Sequence, residues 1–188
     1  YLTLVSILKY PCESLAVSNG ETHRKKYGFF QSEKDVFVQI CNEFDFTIHQ
    51  DSNLWSRRHP FVFLVEAADD ICYRIIDMED AHRIKILNTE EVTDHFLTLH
   101  GELTPDVKSR ERTKEVFGKI GDVNESIAYL RTKCIGGLVQ AAARVFQDAG
   151  EKILEGTWNA SLLGEVEKFC PSLQKIQNVS INKIYNHH

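Results

Sequence analysis

The chain has 188 residues, with 22 Lys and Arg against 27 Asp and Glu for a net charge of −5, and 43% of its residues are hydrophobic. This is the composition of an ordinary folded domain, and it excludes disordered, collagen-like and repeat architectures. No run approaches the ~20 apolar residues of a membrane span, and no basic segment precedes an apolar core as a secretory leader requires, so a cytoplasmic protein with no membrane partner is expected.

The sequence starts at Tyr1, and its only methionine is Met78, so it reads as an excerpt of a longer protein. Five cysteines (Cys12, Cys41, Cys72, Cys134 and Cys170) are widely spaced and form no C-x-x-C pair. Neither a disulfide framework nor a zinc knuckle is expected from that spacing, only reduced and mostly buried thiols. The acidic balance argues against a general nucleic-acid surface, which would need clustered Lys and Arg. The strongly basic patch Arg24-Lys25-Lys26 stands out against it.

In chain order, residues 1–9 carry Leu2, Leu4, Val5 and Leu8 at helical spacings ahead of Pro11, which predicts the end of a helix stopped by proline. A loop follows from Ser18-Asn19-Gly20 through the basic patch to Gly28. Residues 32–44 open with a Ser cap and Glu33 and place Val36, Ile40 and Phe44 one turn apart, the pattern of an amphipathic helix. Pro60 suits a first helical position, and the longest helix is expected from Phe61 to about Leu87. Further helices are expected over 89–99, 106–118, 122–148, 150–156, around 160–168 and over 173–185. Strand alternation is nearly absent, and no Pro/Gly/Ser-rich linker or internal repeat divides the chain. An all-α domain, or a large piece of one, is predicted.

On the longest helix Asp69, Tyr73, Asp77 and Asp80 fall at i, i+4, i+8 and i+11, sharing one narrow face with Glu66 beside them. Leu64, Val65, Ala68, Ile71, Cys72, Ile75 and Ile76 fill the remaining sector. A carboxylate stripe on a packed helix calls for compensating cations, a metal or hydrogen-bond donors. The same stripe also fits a solvated face, and one carboxylate gives a divalent ion only one of the several ligands it needs. Lys9-Tyr10 and Lys25-Lys26 add mobile cations and a phenol, groups that can cradle phosphate oxygens or simply line a solvated loop.

The string Arg58-His59-Pro60-Phe61-Val62-Phe63-Leu64-Val65-Glu66-Ala67-Ala68-Asp69-Asp70-Ile71-Cys72-Tyr73 resembles the deoxyguanosine triphosphate triphosphohydrolase branch of the HD superfamily. Lys9-Tyr10-Pro11, Lys25 through Glu33, and Tyr129-Leu130-Arg131-Thr132-Lys133 resemble that family's motifs in the same order. The resemblance implies an incomplete HD-like helical bundle over residues 1–188. Residues 1–100 would be its substrate and metal half, and 101–188 a helical extension.

In that family a His, a His-Asp pair and a later Asp hold a divalent metal such as Mn²⁺ or Mg²⁺, and the last of these matches Asp69. Tyr73 and Asp77 resemble the positions that meet the deoxyribose and its 3′-hydroxyl. Lys9, Tyr10 and Lys26 resemble the triphosphate contacts, with Lys25 as the alternative if the loop shifts by one residue. Asp70 is the position that would orient the metal-site water or its neighbours. The chain contains no His-Asp dipeptide, and His59, His82, His95 and His100 read as surface or packing residues. The family's His and His-Asp motifs are therefore expected ahead of Tyr1.

The implied reaction is hydrolysis of a deoxynucleoside 5′-triphosphate to deoxynucleoside and inorganic triphosphate, by a homo-oligomer. A metal would act as Lewis acid, while Lys9, Tyr10 and Lys26 would neutralise the triphosphate. Two alternatives stay open: another HD-type phosphohydrolase acting on a monophosphate or other phosphoester, and a non-catalytic nucleotide-sensing domain. Base preference is not legible, and neither is any nucleotide or nucleic-acid effector.

Overall fold

The structure, a computed structural model, describes residues 2–44, 46, 48–49 and 53–186, so Tyr1 of the expected first helix lies outside the described residues. Among the described residues nine α-helices follow one another: α1 (Leu2–Val5), α2 (Lys34–Glu43), α3 (Pro60–Arg83), α4 (Thr89–Leu103), α5 (Val107–Lys119), α6 (Val123–Asp148), α7 (Gly150–Leu154), α8 (Leu162–Glu167) and α9 (Pro171–Val179), and a π-helical turn over Ser180–Tyr185 ends the described chain. The all-α expectation holds. The one sheet among the described residues is a two-residue ladder of β1 (Ile48–His49) against antiparallel β2 (Trp55–Ser56), beside an isolated bridge from Cys12 to Trp55.

Two compact units divide the chain: Tyr1–Glu66 with Phe146–Ser161, and Ala67–Val145 with Leu162–His188. In the first, Phe29 stacks on Phe37 with ring centroids 4.3 Å apart, and Cys41 and Leu54 complete a small core. That stack sets the face of α2. Phe37 and Cys41 point inward and Val36 is exposed, so the buried stripe is turned from the expected Val36, Ile40 and Phe44. Ser32 lies inside a 3-10 turn, Gln31–Glu33, instead of capping the helix, and the Glu33 carboxylate accepts the Phe30 N–H at 2.8 Å.

Buried Glu13 ties the loops of this unit together. Its backbone N–H donates to the Leu54 carbonyl at 2.9 Å, and its carboxylate accepts from Leu54 N (2.5 Å), Gln31 Nε2 (2.9 Å) and Lys34 Nζ (3.1 Å). A buried carboxylate is tolerable because its lone pairs are satisfied in this way.

In the second unit, Ile75, Met78, Phe96, Leu99, Leu130, Cys134 and Leu173 are fully buried. Each large apolar side chain contributes ~1.5–3 kcal/mol on leaving water. Helix α6 comes close to α4 at Gly137, where a Cβ would stand 3.0 Å from the Leu103 Cβ, whereas Gly136 beside it faces open space. Of the glycine pair, only Gly137 serves close helix approach.

Side-chain caps fix several helix starts: Asn88 accepts from the Glu91 N–H, Asp106 from the Ser109 N–H and Asp122 from the Glu125 N–H, at 2.8–2.9 Å. The end of α3 falls at Arg83, short of the expected Leu87. Lys85 takes a left-handed φ of 69°, Ile86 N donates to Ala81 O, and Lys85 N donates to His82 O. These are the two bonds of a Schellman end, built here around a lysine where glycine is usual.

Candidate functional site

Arg58 organises a cluster of charged and polar groups within the first unit. Its guanidinium donates to Lys9 O (2.8 Å), Thr22 O (3.2 Å) and Glu66 Oε2 (3.0 Å), and both Arg58 and Glu66 are buried. The other Glu66 oxygen lies 2.9 Å from Lys9 Nζ, so one carboxylate holds a buried arginine and a half-exposed lysine. The Tyr10 ring stands 6.0 Å from Lys9 Nζ and 5.9 Å from the Arg58 guanidinium carbon, which sets the phenol among these cations.

The loop carrying Lys25 and Lys26 docks directly on this segment. Gly28 N donates to Cys12 O at 3.0 Å, and the Cys12 thiol donates to Lys26 O at 3.1 Å. A Cβ on Gly28 would lie 1.9 Å from the Tyr10 carbonyl oxygen, so only glycine permits the approach. Lys9-Tyr10 and Lys25-Lys26, sixteen residues apart in sequence, are therefore bound into one basic loop pair with the Lys25 and Lys26 side chains exposed.

On α3, Asp69, Tyr73 and Asp80 are exposed, Asp70 and Asp77 half-buried, and Glu66 buried. The stripe is thus largely solvated. Behind it, Val62, Phe63, Ala67, Ile71, Ile75 and Met78 pack inward, whereas Leu64, Val65 and Cys72, expected to share that role, are exposed. Buried Glu79 accepts from Arg83 Nη2 (2.7 Å) and Arg131 Nη1 (2.5 Å), which gives the arginine of the Tyr129–Lys133 string a structural partner between α3 and α6.

Asp77 accepts a hydrogen bond from the Tyr185 hydroxyl. That contact and the carboxylate's charge, together with burial, push the Tyr185 pKa up to about 12. The four histidines read as surface or packing groups carry structural contacts in three cases. His82 Nε2 pairs with Thr89 Oγ1 at 3.0 Å, His100 bridges Thr104 and Thr113 at 3.1 Å, and His59 Nδ1 accepts the Phe61 N–H at 3.1 Å. Burial lowers the pKa of His59, His82, His95 and His100, which favours neutral rings. Among the described residues no group of three or more His, Cys, Asp or Glu side chains stands ready for a metal. Asp69 offers one carboxylate, which does not by itself fit a divalent cation.

No family model matches the chain. It is 35% identical, over an alignment 191 positions long that takes in 98% of the chain, to a deoxyguanosinetriphosphate triphosphohydrolase-like protein of Synechocystis. A protein of the same name from Pseudomonas aeruginosa is 34% identical over 188 residues, again 98% of the chain. By sequence, the chain is similar to dGTP triphosphohydrolase-like proteins. A Yersinia pestis deoxyguanosinetriphosphate triphosphohydrolase is 28% identical over 170 residues, 87% of the chain and 32% of that protein. The chain spans about two fifths, 40%, of the length of the first two relatives. No helix among the described residues is long and apolar enough to cross a membrane.

Arg58, Glu66 and Tyr185 are the contributors that the sequence did not assign. Arg58 opens the string that carries the family resemblance and Glu66 shares the acidic face, so a charge-pair search at i, i+8 was the available signal for both. Nothing local in the sequence connects Tyr185 to Asp77, 108 residues away.

Proposed function

We propose that the complete protein hydrolyses a deoxynucleoside 5′-triphosphate to deoxynucleoside and inorganic triphosphate. The observation that carries this reading is the loop pair locked by Gly28 against Tyr10, which gathers Lys9, Tyr10, Lys25 and Lys26 in a chain whose net charge is −5. The dGTP triphosphohydrolase names of its relatives support it.

In this reading water adds at the α-phosphorus, the bond to the 5′-oxygen breaks, and that oxygen takes a proton to leave as the nucleoside hydroxyl. Lys9, Lys26 and the Tyr10 hydroxyl offset the negative charge that the triphosphate carries through the step. Lys25 shares this task if the loop's outer lysine is the one that reaches the phosphates. Tyr73 packs against the deoxyribose, and Asp77 accepts from its 3′-hydroxyl. Asp69 would hold one coordination position of a divalent cation such as Mn²⁺ or Mg²⁺, which would supply Lewis acidity at phosphorus once further ligands completed the site.

The test is full-length protein incubated with Mn²⁺ and each dNTP in turn, followed by separation of the products. Inorganic triphosphate and nucleoside are expected, and Asp69→Ala is expected to lose metal-dependent turnover. Release of pyrophosphate or monophosphate, or undiminished turnover in Asp69→Ala, would overturn the reading.

A further inference from the structure

The C-terminal π-helical turn brings a second phenol to the acidic face of α3. Tyr185 sits at the end of Ser180–Tyr185, a turn that continues from α9. Two contacts fix the turn independently of Asp77: Lys183 Nζ pairs with Glu91 Oε1 of α4 at 2.6 Å, and buried Ser180 donates to Ile176 O at 3.2 Å. From that anchored base the Tyr185 hydroxyl donates to Asp77 Oδ2. The Tyr73 phenol lies near enough to add to the upward shift of the Tyr185 pKa, so Tyr73, Asp77 and Tyr185 form one group on one face.

We propose that Tyr185 is a positioning residue for Asp77, holding Oδ2 so that Oδ1 stays directed at the substrate's sugar hydroxyl and thereby sharpening selection for a 3′-hydroxyl. This rests on the reading of Asp77 as the sugar acceptor. An aspartate on a largely solvated helix face otherwise moves among staggered rotamers, and a donor on one oxygen favours the rotamer that keeps that bond. A carboxylate has about four acceptor sites, so one bond to Tyr185 leaves room for the ligand. The phenol keeps its proton throughout the working pH range, because its pKa stands near about 12, and so it donates without switching. π-Helical turns are rare and frequent at functional sites, which fits a turn whose tip reaches such a group.

The experiment compares kcat/KM for a dNTP with that for its 2′,3′-dideoxy analogue in the full-length protein, in wild type, Tyr185→Phe, Tyr185→Leu, Asp77→Asn and the Tyr185→Phe/Asp77→Asn double variant. Wild type should prefer the 3′-hydroxyl substrate, and both Tyr185 variants should lower that preference at least about fivefold, the scale of one hydrogen bond to a charged group. The double variant should lose no more preference than Asp77→Asn alone, since the phenol acts through the carboxylate. An unchanged preference in both Tyr185 variants, or an equal fall for the two substrates, overturns the role of Tyr185 while leaving the Asp77 reading intact. A wild type that does not distinguish the two substrates, or an Asp77→Asn variant with wild-type preference, overturns the Asp77 reading and this inference with it.

Discussion

Arg58 Nη1 lies 3.0 Å from Glu66 Oε2, with 3% of the arginine side chain and 7% of the glutamate side chain exposed. Two further hydrogen bonds from the same guanidinium reach the carbonyls of Lys9 and Thr22, so the pair fixes both the Lys9 segment and the loop ahead of the basic patch. Removing the glutamate leaves a buried arginine without its counter-charge, and breaking a buried pair on one side costs about 3–5 kcal/mol. Glu66→Ala is therefore expected to lower the thermal midpoint of the full-length protein clearly and to weaken triphosphate binding through Lys9. A midpoint within a degree of wild type would show that the pair contributes little.

Gly28 sets up a contrast between two glycines. Gly28→Ala places a methyl group 1.9 Å from a backbone oxygen, whereas Gly20→Ala meets nothing within 4 Å. The first is expected to cost about 1–3 kcal/mol and to raise the KM for dNTP as the loop pair separates, with the second near neutral. Urea denaturation alongside KM measurements checks both, and equal stability of the two variants would contradict the close approach.

The neighbouring glycines of α6 give a prediction of opposite sign. At exposed Gly136 an alanine has open space and should stabilise the helix by about 0.5–1 kcal/mol, while at Gly137 it presses on Leu103 and that gain is expected to be cancelled. Chemical denaturation of the two single variants decides it. A larger gain at position 137 than at 136 would mean that α4 and α6 are not packed as described.

Acid should loosen the first unit through Glu13. The Leu54 amide first, then Gln31 and Lys34, hold its carboxyl below the usual range against the opposing effect of burial. A lowered folded pKa means that the unfolded chain binds more protons between that value and the ordinary glutamate value of about 4.3, so stability rises with pH across that window. The contribution is complete above the ordinary value and is lost as pH falls through the lowered one. Glu13→Gln should flatten this dependence in urea titrations run from about pH 6 to about pH 3. Parallel curves for variant and wild type would assign the acid sensitivity to other carboxylates.

Much of the helical order was legible because its signals are local. Asn88, Asp106 and Asp122 are ordinary capping residues directly ahead of helices, and each caps in the structure. The end of α3 was not legible, since a lysine takes the left-handed position where a glycine would have announced it. The face of α2 is turned by one position, because the Phe29–Phe37 stack ties the helix to the loop just ahead of it, a contact that helical periodicity does not see. For the proposed site, the sequence supplied the lysines and the α3 stripe, while the couplings of Lys9 to Glu66 and of Asp77 to Tyr185 depend on tertiary approach. Chemistry-bearing residue types were visible in the sequence, but their partners were not.

The distribution of the five thiols has a practical consequence. Cys12, Cys41, Cys134 and Cys170 are buried, and burial pushes their pKa values upward, Cys170 to about 12, leaving Cys72 as the exposed cysteine. Reaction with a maleimide follows the accessible thiolate, so labelling of this chain concentrates at a single point on α3, immediately before Tyr73. A fluorophore attached there would sit beside the proposed sugar-facing group with none of the natural cysteines removed, and the unaltered sequence already carries the attachment point for an optical reporter of ligand arrival.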